Sequence, residues 1–465
     1  MGDKRGDISI GGAIEGMNKY NNKAEVKEWT DIYEGNPSWV RKGSGKEYEL
    51  ISSDIGASVV SELAKKVTIE MESSVVGESE RAKYLDKQYQ RLLERARDIT
   101  EHVLAQGGGI IKPFIYNDNI GVEYIRAENF IPIKFNGLDE LVDVIFVDKV
   151  EIDNKFYTKL ERHTLEDDGS YTITNRAYRG DGISFDGKFT SEVPLGIVSE
   201  WADLAPEFHI ENIEKPFYVY LKTPYGNNKD INSPLGVSVF SKITGLLEKY
   251  DKLYSLFIHE FEGTSLLSFI DETLFDGPNS SELKSSVFKM VNMGSNTESS
   301  PLVKIINPDI REQNYINGME SLLRKIEFNA GLAYGDLSNV NSVEKTAEEI
   351  KSSKERSYST IVDIQKKLEA AFADVVDIMD TLATLYKLTP ESKEKYEVTF
   401  NFDDSVVVSK RYKLEIMANG VEKGWIKPEF YLMEVYNLTL EEARAMVPYY
   451  DTSNTDNKDR DLDDK

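Results

Sequence analysis

The sequence contains no cysteine and only four histidines in 465 residues. Without cysteine there are no disulfides, thiolate metal sites or cysteine nucleophiles. None of the histidines lies in an H-x-x-x-H or H-E-x-x-H pattern, so no zinc motif is present. No apolar run approaches the roughly 18 residues of a membrane span, and the N-terminus has no apolar signal core. We therefore expect no membrane partner and no bound metal.

Basic residues are also scarce. Against 81 Asp and Glu stand 56 Lys and Arg, giving a formal net charge of −25. A protein that binds nucleic acid tightly needs a basic surface that releases counterions, and the chain has no long basic run. We expect a polyanion to slide past this protein and not to adhere to it. The apolar fraction of 40% still allows a globular core, and the length favours two to four substructures.

The glycine-rich stretches do not fit phosphate-binding loops. "GGAIEG" (11–16) follows no strand, and "GGGIIKP" (107–113) lacks the Lys-Ser/Thr of a P-loop, so its glycines predict a helix stop. "LEDDGS" (165–170) and "FNFDDSV" (400–406) are typical of a hairpin turn and a helix N-cap. No nucleophile elbow accompanies a Ser/His/Asp order. The sequence thus predicts no enzyme and no cofactor.

The predicted secondary structure of the N-terminal half changes from helices to strands at a run of three glycines, residues 107–109. Apolar periodicity predicts helices within residues 1–105, and three glycines end the last of them. The predicted helices span 24–35, 53–71 and 81–106, with Ser53 or Asp54 placed to start the second. From Ile110 to about Tyr225, alternating β-rich segments separated by Asn-Asp and Asp-Gly turns predict a mixed or antiparallel sheet.

A helical period returns near residue 233, where Pro234 suits a first helical position. The helix has an apolar seam and a second apolar stripe, so we expect it to pack against more than one neighbour. The seam comprises Phe240, Ile243, Leu247, Tyr250, Tyr254, Phe257 and Phe261, and the stripe Leu246, Leu253 and Leu256. An irregular segment, 264–308, should contain a short helix around Glu282 to Val291.

Two further helices carry capping-box spacing, Asp309 with Glu312 and Thr346 with Glu349. The second of these helices contains no Gly or Pro as far as Thr389. At ~1.5 Å per residue it could extend roughly 65 Å. A strand "YEVTFNF" and three short helical pieces follow. The final 451–465 predict a disordered acidic tail.

Between these helices lies "FNAGLAYGDLSNVNSVEKTAEEI", residues 328–350, rich in Gly, Ser and Asn. Its composition predicts a small polar, mobile loop without a catalytic residue. An ordinary helix–helix connection is the alternative.

The order of these elements resembles the portal proteins of tailed phages, especially long-tailed phages of Gram-positive bacteria. The resemblance covers nearly the whole chain and is carried by a collinear set of segments, none decisive alone. These are "EWTDIYEGNPSWV", "VLAQGGGIIKPFIYNDNIGVEYIRAENFIPIKF", "SPLGVSVF", "LLRKIEFNAGLAYGDLS", "KTAEEI", "FNFDDSVV" and "LTLEEARAMV".

The resemblance implies an α+β, portal-like ring subunit with an α/β wing, a two-helix stem, a small clip, a long helix and a helical crown. The implied ranges are wing 1–235, first stem helix 236–265, clip 266–308, second stem helix 309–332, tunnel loop 333–346, long helix 347–390, crown and returning wing strand 391–450, and tail 451–465.

It also implies function and partners. Portals are rings, normally of twelve subunits, at one capsid vertex, and double-stranded DNA passes through their channel during packaging, retention and ejection. The implied partners are terminase, head-completion proteins, and the major capsid and scaffolding proteins. The implied location is the virion, after assembly in the host cytoplasm.

Two groups of residues become candidates on this resemblance. In the tunnel loop, polar groups would contact phosphates or water and Val340 would narrow the channel; the candidates are Ser338, Asn339, Val340, Asn341 and Ser342. One basic residue per subunit would form a basic ring. The possible channel residues are Lys304, Arg311, Arg324 and Lys325, for which surface salt bridges are the alternative.

Two other functions stay open at this point. A different head–tail adaptor or capsid-vertex ring component would equally lack catalytic motifs. A hydrolase using carboxylates such as Glu260 or Asp271 would need a cleft that perturbs their pKa values.

Overall fold

The structure is a computed structural model with an α+β fold. It describes residues 19–20, 22–43, 49–180, 189–263, 267–271, 288–291, 303–306, 311–339, 347–392, 394–402, 410–436 and 438–447. The chain divides into two compact units, 1–401 and 402–465. No described helix is long and apolar enough to cross a membrane.

Helices dominate the start of the first unit. They are α1 (Lys23–Tyr33), α2 (Ser38–Gly43), α3 (Ile55–Thr68), α4 (Glu80–Leu93) and α5 (Ala96–Gln106). Of the two predicted starts, Ser53 and Asp54, it is Asp54 that directly precedes α3, and its side chain makes no capping hydrogen bond. The helix expected to reach Met71 is wrong beyond Thr68, because Met71 opens a strand. The helix expected over 81–106 is interrupted at Glu94 and Arg95, where α4 ends and α5 begins.

That strand, β1 (Met71–Val76), pairs with β14 (Glu397–Phe402) in a two-stranded sheet. The serine hydroxyl of Ser73 reinforces the pair by donating to the carbonyl of Thr399 at 2.8 Å. Since the partner strand lies some three hundred residues later, only tertiary contact stabilises the extended form of β1.

The sheet predicted between 110 and 225 is confirmed and is antiparallel. Its strands are β2 (Gly108–Tyr116), β3 (Asn119–Arg126), β4 (Phe130–Phe135), β5 (Leu141–Ile152), β6 (Lys155–Leu165), β7 (Tyr171–Gly180), β8 (Phe189–Val193), β9 (Glu207–Ile210) and β10 (Val219–Lys222). They form a layer in the order β10-β2-β3 and a layer in the order β4-β5-β6-β7-β8, with β9 beside β7. Apolar side chains between the layers form a core that includes Ile110, Val144, Phe146 and Tyr218.

Two glycines bring distant segments into backbone contact. Gly107 ends α5 with a φ of 90°, as the predicted helix stop requires. A Cβ on Gly236 would lie 2.0 Å from the Gly107 carbonyl oxygen, and one on Gly107 would lie 2.8 Å from the Ser238 nitrogen. The Ser238 hydroxyl also donates to the carbonyl of Leu104. This close approach needs glycine at both positions.

The same contact explains why Pro234 does not begin a helix. Residues 232–238 run as an irregular segment: the Lys222 ammonium donates to the Pro234 carbonyl, and Gly236 N–H donates to the Tyr220 hydroxyl. A 3₁₀ turn over Val239–Lys242 follows, and α6 begins only at Thr244 and ends at Gly263. The prediction for Pro234 is therefore wrong.

Helix α6 packs along α7 (Glu312–Ala330). The predicted seam is fully buried just before α6, at Phe240 and Ile243, but Phe261 near the end of the helix is 43% exposed. The second stripe, Leu246, Leu253 and Leu256, is half-buried. Gly318 of α7 leaves room for Leu253, whose Cδ2 would lie 3.1 Å from an added Cβ. The two helices therefore approach closely midway along their length.

Between these helices the structure describes three short strands, β11 (Leu267–Asp271), β12 (Phe288–Val291) and β13 (Val303–Ile306). β11 is central, parallel to β12 and antiparallel to β13. The short helix predicted over 282–291 is wrong at residues 288–291, and residues 282–287 lie outside the described residues. The helix predicted from Asp309 begins at Glu312 with Arg311 as its N-cap; Asp309 itself is outside the described residues.

The long helix is α8 (Ala347–Leu385), about 58 Å at ~1.5 Å per residue. Its predicted stripe from Ile361 to Leu382 is buried, whereas Leu385 is 43% exposed. The helix ends before the predicted residue 390, because Lys387 adopts a left-handed φ of 54° and Leu388 N–H bonds to the carbonyl of Ala383. Thr346, the predicted cap, lies outside the described residues.

The second unit contains the three short helices that the sequence predicts, α9 (Lys410–Glu422), α10 (Pro428–Tyr436) and α11 (Leu440–Met446). Thr439 and Glu442 form a reciprocal capping box at the start of α11. The acidic segment 451–465 and the predicted cap at 403–405 lie outside the described residues.

Candidate functional site

The segment after α7 turns twice through left-handed glycines. Gly331, with a φ of 80°, ends α7, and Gly335, with a φ of 93°, redirects the chain four residues later. Between them Ala333 N–H donates to Asp336 Oδ2 at 2.7 Å. These bonds give residues 331–339 a defined path beside α7.

A single buried carboxylate holds this segment. Glu327, on α7, is 0% exposed. Its Oε1 accepts from the N–H groups of Gly335, Leu337 and Ser338 at 3.1, 2.8 and 2.8 Å. Its Oε2 accepts from the Ser338 hydroxyl at 2.8 Å. A buried charge is stable only when it is well hydrogen-bonded, so the carboxylate and the segment fix each other.

Two other helices contact the same segment. The Lys66 ammonium of α3 pairs with Asp336 at 2.5 Å, and both side chains are 15% exposed. From α8, the Ser353 hydroxyl accepts the Tyr334 N–H at 2.7 Å, and the Arg356 guanidinium donates to the Leu332 carbonyl at 3.3 Å. Residues 331–339 are therefore anchored to three helices, and the mobility that the composition of the loop predicts stays a prediction.

The five candidate loop residues fall into three situations. Ser338 is 6% exposed and its hydroxyl donates to Glu327, so it anchors the segment in this structure, and its expected contact with phosphate stays a prediction. Asn339 is exposed, and its N–H donates to Glu320 Oε2 at 3.0 Å. Val340, Asn341 and Ser342 lie outside the described residues.

The four candidate basic residues are not brought together. Arg311 precedes α7 and is bound to Glu260, so the salt-bridge alternative holds for it. Arg324 is half-buried and Lys325 exposed, about 20 Å further along α7 at ~1.5 Å per residue. Lys304 lies in β13 opposite Phe269, and its side chain is outside the described residues.

The Glu260–Arg311 pair bears on the hydrolase alternative. Hydrogen bonds from the Arg311 side chain and backbone N–H lower the pKa of Glu260 to about 2. A general acid at neutral pH needs the opposite shift. Asp271 lies in β11 with its side chain outside the described residues, and the described residues hold no cluster of three potential metal ligands among His, Asp and Glu.

A second polar cluster, which sequence reasoning did not single out, lies on the face of β6 toward β2. Glu161 accepts from the ammonium groups of Lys112 and Lys159, each at 3.1 Å, and from His163 Nε2 at 2.7 Å. Burial alone would raise the pKa of Glu161, but Lys112 and the His163 hydrogen bond hold it well below its ordinary value. Burial lowers the pKa of His163. The cluster is a stabilised buried ion network.

The residues of this network also line a cavity of about 1,040 Å³ between the two sheet layers and the end of α8. Its lining includes partly exposed apolar side chains, among them Phe114, Leu204 and Phe208. Asn175 lines it and is 6% exposed, and its Oδ1 has no hydrogen-bond partner among the described residues. The buried ion network and partly exposed apolar side chains thus line the same cavity.

Sequence reasoning also missed Glu327. The available signal was its position: it follows Leu323 by four residues and Ile326 by one, on the apolar face of α7. A charged residue there requires a partner.

Comparison with known proteins agrees with the order of these elements. The family model for phage portal proteins of the SPP1 Gp6-like type matches residues 14–447. Among curated protein sequences, none is significantly similar to the chain. Because the match spans most of the chain, from before α1 to the end of α11, the chain belongs to the SPP1 Gp6-like family of phage portal proteins.

Proposed function

We propose that this chain forms the ring-shaped DNA channel at a capsid vertex and has a structural role without catalysis. The observation that carries the proposal is the family match over residues 14–447. In this proposal α6 and α7 build the stem, β11 to β13 belong to the clip, the antiparallel layers and the first helices form the wing, and the second unit contributes to the crown.

The anchored segment gives the proposal a physical basis for a tunnel loop. Glu327 and Lys66 fix residues 331–339, so the remaining 340–346 are a bridge of seven residues from a rigid root to α8. A loop with a fixed root can present its tip at a constant radius in a ring. Asn339, Val340, Asn341 and Ser342 remain the proposed DNA-contacting residues, whereas Ser338 serves as an anchor.

Charge supports weak contact with DNA. With a net charge of −25 per subunit, a ring would repel a phosphate backbone over roughly 8 Å at physiological salt. Lys325 is the exposed basic candidate on α7, and Arg324 is half-buried beside it. A channel-facing position for Lys304 stays a prediction, and the charge of Arg311 is neutralised by Glu260.

The proposed partners follow from this assignment. The ring, of about twelve subunits, would dock terminase and then head-completion proteins through the clip, 266–308, and would contact the major capsid and scaffolding proteins in the head. Double-stranded DNA would pass through the channel in packaging and ejection.

The test has two parts. Negative-stain microscopy of the purified chain should show a ring with a central channel, and a compact monomer would refute the proposal. Particles carrying the triple alanine variant of Asn339, Val340 and Asn341 should contain a changed length of DNA while ring assembly and thermal stability are kept. Asn119→Ala, at the exposed start of β3, is the control and should package normally.

Normal packaging by the triple variant would reduce residues 339–341 to a plain connector. A ring that neither packages DNA nor binds terminase would favour the alternative, another head–tail adaptor.

A further inference from the structure

Two apolar side chains stand out from the surface of the first unit. Ile231 is 87% exposed and Leu138 is 79% exposed, more than any other large apolar side chain among the described residues of that unit. Covering either side chain would remove apolar surface from water, which is favourable. Single exposed apolar residues are common, so the surroundings of these two decide whether they mark a covered surface.

Both residues stand on loops that hydrogen bonds hold in place. In the first loop, residues 136–140 between β4 and β5, Asn136 Oδ1 accepts the Leu138 N–H at 2.9 Å. In the second loop, residues 227–233, Asp230 Oδ1 accepts the Asn232 N–H at 3.0 Å. Loops that are already ordered lose little conformational entropy when another segment covers them.

The two loops lie in the same region of the surface, because both adjoin Lys222 at the end of β10. The Lys222 ammonium donates to the carbonyl of Pro234, three residues after Ile231, at 2.9 Å. Burial lowers the pKa of Lys222, and the carboxylate of Asp139 acts in the opposite direction, so this carboxylate lies near the ammonium. Asp139 is the neighbour of Leu138 in the first loop.

The N-terminal part of the chain joins the described structure in this region too. The Tyr20 ring packs edge-on against Phe135, at the base of the first loop, with 5.1 Å between the ring centroids. Asn22 lines the same small cavity as Gly236, three residues after the second loop. Residues 1–18, which lie outside the described residues, are therefore attached to the protein beside both exposed side chains.

The sequence of residues 1–18 supplies apolar side chains within reach of the two loops. The stretch "ISIGGAIEGM", residues 8–17, contains three isoleucines and a methionine. From Tyr20 the chain can span about 20 Å to Ile14 and about 33 Å to Ile10, at ~3.3 Å per residue. A segment tethered this close to a surface meets it at a high effective concentration, which a separate partner would have to exceed.

We propose that residues 8–17 fold back over the two loops and cover Leu138 and Ile231 with their isoleucine side chains. The contact lies within one chain and goes beyond the proposed ring, because it needs no second copy. It shields the two most exposed apolar side chains of the first unit from water. We call residues 8–17 the cover segment.

The absence of native cysteine permits a direct test by thiol labelling. Leu138→Cys and Ile231→Cys should each react with a maleimide roughly fivefold or more slowly in the full chain than in a chain lacking residues 1–18, because labelling requires the cover segment to open. Ile69→Cys is the matched control, since Ile69 is also exposed, at 52%, and follows α3. It should react at the same rate in both chains.

A charge substitution gives a second measurement without a deletion. In the full chain, Ile10→Asp together with Ile14→Asp should accelerate the labelling of Leu138→Cys to the rate of the shortened chain, because aspartate is not stabilised on an apolar surface. Ser9→Asp together with Asn18→Asp is the control. It adds the same charge without removing an apolar side chain and should leave the labelling rate unchanged.

Cross-linking identifies the chain that supplies the cover segment. Ile14→Cys should be joined by a short bis-maleimide to at least one of Leu138→Cys and Ile231→Cys. In a mixture of isotope-labelled and unlabelled chains, the joined peptides should both come from the same chain. Ile14→Cys paired with Ile69→Cys is the control and should stay unlinked.

Equal labelling rates in the full and shortened chains would overturn the inference. Test pairs that link no more than the control would also overturn it, and so would links between labelled and unlabelled chains, since a second copy would then supply the segment. None of these results bears on the proposed function, which microscopy of the unmodified chain supports or refutes independently.

Discussion

Glu260, near the end of α6, holds Arg311, the residue before α7, through three hydrogen bonds. The Arg311 backbone N–H and Nε donate to Glu260 Oε1 at 3.0 and 3.2 Å, and Nη2 donates to Oε2 at 2.8 Å. The pair joins the two helices where the chain leaves for β11 and returns from β13. Tyr315, one turn into α7, lies 5.6 Å below the same guanidinium. We call the Glu260–Arg311 pair the clasp. It fixes the spacing of α6 and α7 where they adjoin the small sheet β11–β13.

The clasp predicts a pH dependence. The pKa of Glu260 is lowered to about 2 by the Arg311 hydrogen bonds, from an ordinary value of 4.5. A depressed carboxyl pKa stabilises the fold above the unfolded pKa and loses that contribution as pH falls through the folded pKa. We expect the clasp to be complete above about pH 4.5 and to be lost toward pH 2. A carbon-detected NMR titration of Glu260 checks this.

Arg311→Met should return the titration of Glu260 toward its ordinary midpoint. Lys325→Met, which removes a distant charge on the same helix, should not move it. A Glu260 that titrates near 4.5 in the unmodified chain would show that the clasp does not persist in solution.

The second prediction concerns the Glu327 anchor. Glu327→Gln keeps the shape but replaces one acceptor oxygen by a donor, so at least one of its four bonds is lost and a buried polar group is left unpaired. We expect the free energy of unfolding to fall by about 2 kcal/mol. Hydrogen exchange at the amides of Gly335, Leu337 and Ser338 should accelerate.

Glu320→Gln is the matched control, because Glu320 also lies on α7 and accepts one N–H, from Asn339. It should cost less than about 1 kcal/mol and leave the three amides protected. Unchanged exchange in Glu327→Gln would mean that Lys66 and α8 alone hold the segment.

The third prediction compares Glu161 and Glu123, whose carboxylates both pair with the ammonium group of Lys112. Glu161 and Glu123 both lie 3.1 Å from Lys112, but their side chains are 13% and 52% exposed. Glu161→Gln leaves buried Lys112 and Lys159 without the carboxylate between them and should lower the free energy of unfolding by about 3 kcal/mol. Glu123→Gln should cost less than about 1 kcal/mol. Chemical denaturation of both variants tests the difference, and equal losses would contradict it.

Local signals in the sequence predicted local structure well. The stop at Gly107 and the start of α3 depend on a few neighbouring residues: the first occurs where expected, and α3 starts after Asp54, one of its two predicted starts. The antiparallel layers follow from alternation and turn residues; Asn117 and Asp118 take the positive φ that their hairpin needs.

Long-range contacts account for the errors. The helix predicted to reach Met71 ends at Thr68, among β-branched residues that favour a helix little, and β14 pairs with Met71–Val76 from the far end of the first unit. Pro234 is displaced from a helix by the contact of Gly236 with Gly107. In the candidate site, Ser338 was recognised as polar and small, yet nothing nearby in sequence indicates that Glu327 turns it inward. The composition of a loop predicts only its intrinsic conformational preferences. The orientation of Ser338 is determined by Glu327, eleven residues earlier in the chain.

The Gly107–Gly236 contact has a mechanical consequence. Because the backbones touch there, the segment that leads into α6 has little freedom to move: residues 236–238 lie between the end of α5 and the residue after β10, Thr223, which donates to the Val237 carbonyl. A displacement of this segment would push the Gly107 backbone aside and distort β2, which starts at the next residue. We therefore expect a force on residues 236–238 to be transmitted directly to the backbone of α5 and β2.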